Sequence, residues 1–451
     1  MNLVSQKQAA RAAVESLTAG EFELAEISQL DLQMYLWHDL PRLGDMPESL
    51  MRHLPDGLAE VFERNAMPGH ARICRSDTTR DLLTAWSRVG FVVANRRFGR
   101  ALDRSGVVPV DTDTWQWSER SELEEYLAYD DCSRALEAAI AAGRLVPGAA
   151  RWRSHQRAVV DEWLDAPADR ADRLTPRQAI ERERLAVWLS SPPHGLAAIP
   201  MGPRSSIAEA MELPDGQREI SSVVNENVDR ETITRTPLVW LIEHAATPHG
   251  IQLTDRGRLA RTSLIEMAEH FDWLDPRAGE VRGEAVFPLI TRLRELALAI
   301  GVVRRRRNRL VATPGGCIAL SEPSRLAGIV GPALCCEQSL AGVVTQLSLA
   351  FLLTNQTLTR SELVKLTTSA VFIAGWRATV PHPDSDDYAL LNVEMKLGEC
   401  VELLGMAGLV NQSGARPDIT YKLTAAGRAG ALSGLRACAL GPIRRANEDP
   451  S

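Results

Sequence analysis

The stretch FPLITRLRELALAIGVVRRRRNRLVATPGG, residues 287–316, decides the fold of the second half of the chain. Apolar residues recur every three or four positions over 286–300, which predicts an amphipathic helix. Two short runs follow, 302–306 and 309–313, and only Arg307–Asn308 separates them. This spacing predicts a two-residue β-hairpin. The hairpin carries five arginines.

The residues before this stretch predict the rest of a small module. A helix is expected over 237–246 and a short strand over 251–253. A second helix is expected over 263–271, where Ser263 and Glu266 have the spacing of a capping box. The predicted order is therefore helix, strand, helix, helix and hairpin.

The same order returns about 110 residues later, which indicates an internal repeat. This second copy contains another capping box, formed by Thr359 and Glu362. We predict a first module over 236–320 and a second over 340–430. The predicted elements of the second copy are helix 340–353, strand 357–358, helices 360–372 and 390–407, and a closing hairpin. Corresponding residues include Glu295 with Glu402, Gly301 with Gly408, Thr313 with Thr424, and Gly316 with Gly427.

Residues 1–190 are predicted to form one helical domain, because apolar residues recur at helical spacing and no run alternates like a strand for long. The clearest helix start is at Thr175, where Pro176 takes the first helical position and Gln178 completes a capping box. Trp115 and Trp117 lie in the polar run DTDTWQWSE and allow two interpretations. They either contact a partner or fold a ring beneath the loop. The predicted helices are Gln6–Leu17, Ser49–Asn65, Thr79–Arg88, Ser121–Ala142, Trp152–Leu164 and Leu174–Leu189.

Four other segments are predicted from local composition. Phe91–Val93 and Val107–Val110 fit either short strands or helix ends. Clustered prolines predict a linker or irregular wrap over 191–235. We expect a polar tail over 431–451. The predicted class is mainly α, with a helical domain followed by two α+β modules.

Charge is unevenly distributed along the chain. The whole chain has a formal net charge of −7, which argues against a surface built throughout for nucleic acid. Residues 236–340 carry 13 basic against 11 acidic side chains, and they form the net-basic block. The five hairpin arginines create that sign, so we expect any contact with a polyanion to be local.

The cysteines and apolar runs indicate a reducing, cytoplasmic setting without a membrane partner. Seven cysteines are present, an odd number in a large chain without a CxxC pair, so a disulfide framework is not expected. Met1–Leu17 lacks the apolar centre of a signal peptide. The longest apolar runs, such as Leu296–Val303, are far shorter than the roughly 18 residues of a membrane span.

The order of elements resembles tandem winged-helix domains of the helix-turn-helix superfamily. The second copy ends in YKLTAAGRAGAL, which is similar to the close of many bacterial winged-helix domains. The run QLTDRGRL in the first copy resembles an element of large proteins from GC-rich, actinobacterial-type bacteria. The resemblance implies a regulatory role through double-stranded DNA, or contact with another protein or a second copy of the chain. It implies no catalytic activity.

In a DNA-binding winged helix the third helix enters the major groove and the hairpin contacts phosphate. In the first copy Glu295 lies on the outward face of the third helix and counts against close approach to a polyanion. The predicted nucleic-acid-binding residues are Arg292, Arg294, Arg304, Arg305, Arg306, Arg307 and Arg309. In the second copy the outward face contains Gly398 and glutamates that would repel phosphate, namely Glu394, Glu399 and Glu402.

Two alternatives stay open for these features. The arginine run also fits a solvated edge hairpin whose charges discourage pairing with other strands. The acidic second module also fits a scaffold in which the modules bind a partner or the helical domain. We expect no enzyme, cofactor or metal, because phosphate loops, nucleophile elbows and metal-ligand spacings are missing from the sequence. The densest ligand-type groups, interpreted as solvated or buried side chains, are Glu243, His244 and His249; Glu266, Glu269, His270 and Asp272; Cys335 and Cys336; and residues 381–388.

Overall fold

The computed structural model shows a mostly helical chain with two compact units. Residues 1–183 with 442–451 form one unit and residues 184–441 form the other. The strands make two small three-stranded antiparallel sheets, both in the second unit. Of the helices in the described part of the chain, none is long and apolar enough to cross a bilayer. The described residues are 13–15, 17, 24–42, 48–119, 121–167, 174–190, 235–273, 283–284, 287–336, 339–373, 385–415 and 418–442.

The first unit is built from helices in the described residues, as its periodicity predicts. After α1 the chain continues through a π-helical turn, Tyr35–Asp39, and a short 3-10 turn, Leu40–Arg42. The helices are α1 (Gln29–Met34), α2 (Glu48–Arg64), α3 (Pro68–Cys74), α4 (Asp77–Arg88), α5 (Phe91–Ser105), α6 (Leu123–Ala141), α7 (Trp152–Leu164) and α8 (Pro176–Ser190), whose last residues belong to the second unit.

Local predictions for this unit have mixed outcomes. The capping box at the start of α8 is confirmed, since Thr175 N donates to Gln178 Oε1 at 3.0 Å and Gln178 N donates to Thr175 Oγ1 at 3.3 Å. The strand option for Phe91–Val93 is wrong, because these residues open α5. Most of the predicted helix Gln6–Leu17 lies outside the described residues.

The tryptophan pair belongs to the interior of the first unit. Trp115 is 5% exposed and Trp117 is 6% exposed, and their rings meet edge to face with centroids 6.0 Å apart. Trp117 Nε1 donates to Val110 O at 3.3 Å. The partner-contact interpretation is therefore wrong, and the rings instead fold beneath the loop into the core of α6, α7 and α8.

The second unit contains both predicted modules. One hydrophobic core runs through them, from Leu241 and Leu293 in the first to Leu347 and Leu404 in the second. Its helices are α9 (Pro237–Ala246), α10 (Arg261–His270), α11 (Pro288–Ala299), α12 (Pro314–Ser321), α13 (Pro323–Cys335), α14 (Leu340–Thr354), α15 (Arg360–Ile373), α16 (Ser385–Met406) and α17 (Ala425–Leu440). Its strands are β1 (Ile251–Gln252), β2 (Val303–Arg306), β3 (Arg309–Ala312), β4 (Leu358–Thr359), β5 (Val410–Ser413) and β6 (Thr420–Leu423).

The two sheets share one topology. The first has the order β1-β3-β2 and the second β4-β6-β5, so the last strand of each module is central. Val303 pairs with Ala312 in the first hairpin, and Val410 pairs with Leu423 in the second. The element order predicted for each copy is therefore confirmed, and so is the two-residue loop predicted for the first hairpin.

A threonine and a glycine end each module in the same way. Thr313 Oγ1 accepts from Gly316 N at 3.0 Å, and Thr424 Oγ1 accepts from Gly427 N at 2.8 Å, so each threonine caps the next helix. Each glycine lies against the backbone carbonyl of the residue that directly precedes the first strand of the hairpin. An added Cβ would lie 2.0 Å from Val302 O at Gly316, and 1.8 Å from Leu409 O at Gly427.

Two predictions for this unit are wrong, and a third concerns residues that the structure does not describe. The capping box at Ser263 is wrong, because α10 begins at Arg261 and its cap residue, Ala260, supplies no side-chain hydrogen bond. The polar tail is wrong over residues 431–440, which belong to the largely buried helix α17. The predicted linker 191–235 lies outside the described residues except for Arg235. The capping box of Thr359 with Glu362 is confirmed.

The close approach in the Thr-x-x-Gly turns gives a testable prediction. We expect Gly316→Ala and Gly427→Ala each to lower the free energy of unfolding by about 2–3 kcal/mol, because the added methyl group overlaps a carbonyl oxygen. Gly398→Ala is the matched control, since its Cβ meets open space within α16, and it should be neutral or stabilise by up to about 1 kcal/mol. Urea unfolding measures the stability of all three variants. If Gly398→Ala destabilises the protein as much as the other two variants, the close approach at the turns is not the cause.

The first unit offers a pH-dependent prediction at Glu137. Its Oε1 accepts from Gln29 N at 2.5 Å, and burial raises the pKa of this carboxyl from 4.5 to about 7. The folded state therefore holds the proton more tightly than the unfolded chain. That stabilisation is complete below pH 4.5 and is lost as pH rises through 7. Between pH 4.5 and 8, the free energy of unfolding of the wild-type protein should therefore fall by at most about 3 kcal/mol more than that of the Glu137→Gln variant. Parallel pH profiles from urea unfolding would argue against this assignment.

Candidate nucleic-acid interface

The predicted arginine hairpin forms as β2 and β3, joined by Arg307 and Asn308. Arg307 has a φ of +57°, in the left-handed region of backbone conformation that residues other than glycine rarely adopt. Arg306 pairs with Arg309 across the turn, which makes this a two-residue loop as the spacing predicts.

Alternation along the strands divides the arginines between the two faces of the sheet. Val303 and Leu310 lie on the inner face and are buried. Arg304, Arg306 and Arg309 lie on the outer face, and Arg307 lies at the tip. All four are exposed. We call these four arginines the basic face.

The basic face contains a like-charge pair. Arg306 and Arg309 are direct cross-strand partners, and Gln252 of β1 continues the same row. Like charges directly opposite one another destabilise a sheet. A bound anion would relieve this repulsion, so the free hairpin has an electrostatic reason to accept one.

Arg305 has a structural role on the opposite side of β2. Its Nε donates to Arg307 O at 3.1 Å and its Nη2 donates to Asp255 O at 3.4 Å. Its guanidinium lies over Gly257, where an added Cβ would come within 2.6 Å of Nη1. Arg305 therefore holds the hairpin tip against the preceding turn, and is less available to a ligand than its neighbours.

That turn adds two basic residues that the sequence reasoning missed. Thr254 N donates to Arg258 O at 2.7 Å, and Leu253 N donates to Asn308 O at 2.7 Å, so the turn lies against the hairpin tip. Arg256 and Arg258 are exposed on it. The run QLTDRGRL contains both residues, but its pattern alone does not predict that this turn lies against the hairpin.

The hairpin arginines are not neutralised by the described residues. The contacts of Arg305 and Arg309 are to backbone carbonyls, and Arg309 Nη1 donates to His249 O. Within the part of the chain that the structure describes, none of the five forms an ion pair with a carboxylate. Their charge is directed to solvent.

The second hairpin provides an internal comparison. Its register places Asn411, Ser413 and Thr420 where the first hairpin has Arg304, Arg306 and Arg309. Ser413 Oγ and Thr420 Oγ1 lie 2.8 Å apart and form a neutral hydrogen bond. The same fold therefore builds an edge hairpin without arginines, which weakens the interpretation of the run as edge protection alone.

The two arginines predicted on the third helix have other partners. Arg294 Nε donates to Glu284 Oε1 at 3.0 Å, where the carboxylate side chain is fully buried and also accepts from Leu259 N at 2.7 Å. Arg292 Nη2 lies 2.9 Å from Glu399 Oε2 on α16. Arg294 thus stabilises the interior of the first module, and Arg292 joins the two modules.

Two of the three glutamates on the acidic face of α16 likewise have partners within the chain, whereas Glu402 is exposed. Glu399 contacts Lys396 Nζ at 3.0 Å in addition to Arg292, and Glu394 lies 3.3 Å from Arg360 of α15. The third helices of the two modules therefore contact each other, and these two glutamates serve packing rather than facing a polyanion.

The other ligand-type groups do not converge on a site. His244 stacks on Trp240 with ring centroids 3.7 Å apart, and its Nε2 lies 3.5 Å from Glu266. Among the described residues, no three or more His, Cys, Asp or Glu side chains are arranged to hold a metal. Residues 381–384, the first half of the acidic run 381–388, are not among the residues that the structure describes.

Comparisons with known proteins leave the family open. No protein-family model, curated protein or solved structure matches the chain. The functional argument therefore depends on the chemistry and geometry of the residues themselves.

Two arginines on one helix give a contrasting prediction. Arg294→Ala should lower the free energy of unfolding by about 3 kcal/mol, because it leaves the carboxylate of Glu284 buried without a counter-charge. Arg292→Ala should cost at most about 1 kcal/mol, since its ion pair is partly exposed.

Adding Glu284→Gln to Arg294→Ala should recover part of the loss, because the uncompensated charge is removed. Chemical denaturation of the single and double variants measures each effect. Equal losses for the two arginine variants, or no recovery in the double variant, would contradict the buried pairing.

Proposed function

We propose that the two modules are winged-helix domains in a non-catalytic regulatory protein that contacts the phosphate backbone of double-stranded DNA. The contact is made by the basic face of the first module, with Arg256 and Arg258 beside it. The observation that carries the proposal is a group of exposed arginines with no carboxylate partner among the described residues.

The module architecture supports this assignment. Each module has the order helix, strand, helix, helix and hairpin, and each closes into a three-stranded sheet with its last strand in the centre. In winged helices the hairpin is the element that contacts phosphate. Guanidinium groups suit phosphate because they donate in a planar, bidentate geometry and stay charged.

The binding is expected to tolerate many sequences. Reading bases in the major groove requires a free third helix. Here α11 contacts α16 through Arg292 and Glu399, and Arg294 is bound to Glu284. The remaining contact through the hairpin is electrostatic, and phosphate contacts position a protein without specifying sequence.

A protein-interaction scaffold is the second candidate, and one observation favours it. The third helices of the two modules already contact each other, through the ion pair between Arg292 and Glu399. A module that binds its sister in this way could use other faces for a partner. Under this candidate the basic face would be dispensable for the protein's activity.

Fluorescence anisotropy with a labelled generic duplex of about 20 base pairs tests the DNA proposal. We expect binding by the wild-type chain at 50 mM salt and loss of most of it in the triple variant Arg304→Ala, Arg306→Ala and Arg307→Ala. If each arginine contacts one phosphate, the slope of log K against log salt should fall by about 2.7.

A charge-matched control removes three exposed arginines of α5 through Arg96→Ala, Arg97→Ala and Arg100→Ala. This variant should retain both affinity and slope. Absence of binding by the wild-type chain at 50 mM salt would overturn the proposal and leave the scaffold. Equal losses in the two triple variants would show that net charge, rather than the hairpin, determines the binding.

A further inference from the structure

Three cysteines meet at the ends of two helices in the second unit. Cys335 is the last residue of α13, Cys336 is the cap that follows it, and Cys438 lies in the last turn of α17. The Sγ atoms of Cys336 and Cys438 are 3.1 Å apart although the residues are 102 positions apart in sequence. Cys336 is exposed, Cys438 is partly buried and Cys335 is buried.

The backbone of the two helices determines this proximity. A Cβ added at Gly331 of α13 would lie 1.9 Å from Gly430 O of α17, so the helices touch through their main chains. A Cβ at Gly434 would lie 2.7 Å from both Gly331 O and Cys335 Sγ. The thiols of Cys336 and Cys438 are therefore held together by a rigid contact rather than by the chance position of a loop.

We propose that Cys336 and Cys438 form a reversible intramolecular disulfide when the protein meets a two-electron oxidant such as hydrogen peroxide. One thiolate attacks a peroxide oxygen, giving a sulfenic acid and, after protonation, water. The other thiolate attacks that sulfur and displaces the oxygen as a second water. The two thiols thus lose two electrons and two protons, and a peroxide molecule is reduced to two waters.

The oxidation is expected to be slow at neutral pH. The hydrogen bond with Cys438 raises the pKa of Cys336, and only a thiolate reacts with peroxide. The pair therefore responds to sustained oxidation, and its rate of closure should increase with pH. Dithiothreitol or a similar dithiol would restore the two thiols.

The bond would close a loop around the second module. The loop runs from Cys336 to Cys438 and contains α14, α15, α16 and the second sheet. A crosslink over about 100 residues restricts the unfolded chain strongly, so we expect it to raise Tm by about 10 °C. The basic face lies outside the loop, and this inference is independent of the DNA proposal.

The test uses the full chain, purified in reductant, freed from it and then treated with hydrogen peroxide. We expect titratable thiols to fall by two of the seven, with no dimer on a non-reducing gel. Peptide mapping should find residues 336 and 438 linked with the loss of two hydrogens. Tm should rise by about 10 °C and return to its original value after dithiothreitol.

Serine variants identify the pair. Cys336→Ser and Cys438→Ser should each abolish the crosslink and the Tm shift. Cys335→Ser and Cys317→Ser, the latter at an exposed cysteine of α12, should retain both. In the reduced state, a Tm of Cys336→Ser close to that of wild type verifies that the variant is folded. The proposal is overturned if peroxide produces only sulfinic acid or intermolecular bonds, or if the crosslink survives in Cys336→Ser.

Discussion

The contact between α13 and α17 at Gly331 holds the second unit together. The carbonyl oxygen of Gly430 occupies the place where a side chain at Gly331 would begin, so only glycine fits there. α13 follows the first hairpin through α12, and α17 follows the second hairpin through the cap at Thr424. The close main-chain contacts between these two helices therefore help to set how the two modules lie against each other, together with the shared core and the ion pair of Arg292 with Glu399. They also bring Cys336 beside Cys438.

The two modules share their main-chain physics and differ in their surfaces. Both end in a threonine that caps the next helix and a glycine that lies against a carbonyl. On the outer face of the hairpin, the first has arginines where the second has neutral polar residues. The repeat thus separates what the fold requires from what differs between the copies, and the difference on this face is a set of positive charges.

Much of this architecture was predictable because its signals are local. The capping boxes at Thr175 and Thr359 depend on residues three positions apart, and both form as predicted. Ser263 has the same spacing relative to Glu266, but α10 starts two residues earlier, at Arg261. Helix α5 was missed because its first three residues, the aromatic Phe91 and the β-branched Val92 and Val93, are of types enriched in strands.

The site was less predictable because its residues depend on distant partners. Arg294 was predicted to bind nucleic acid, but it pairs with Glu284, ten positions away across a loop. The spacing of residues along the helix could not predict this partner or the burial of its carboxylate. The pairing of Arg292 with Glu399 joins residues of different modules, and helical periodicity contains no information about that contact. The role of residues 431–440 was missed for a different reason, since the buried residues of α17 apart from Leu435 are alanine and glycine rather than large apolar side chains.

The position of β2 in its sheet affects how copies of the protein meet one another. In the sheet order β1-β3-β2 it is an outer strand, and one of its backbone edges has no partner among the described strands. Two molecules that approached by these edges would bring two rows of arginine together, and the repulsion would oppose a shared sheet. The repulsion acts over about 10 Å at 0.1 M salt, so it weakens as ionic strength rises. The arginine hairpin therefore disfavours self-association through this edge in the free protein, and a bound polyanion would weaken that effect.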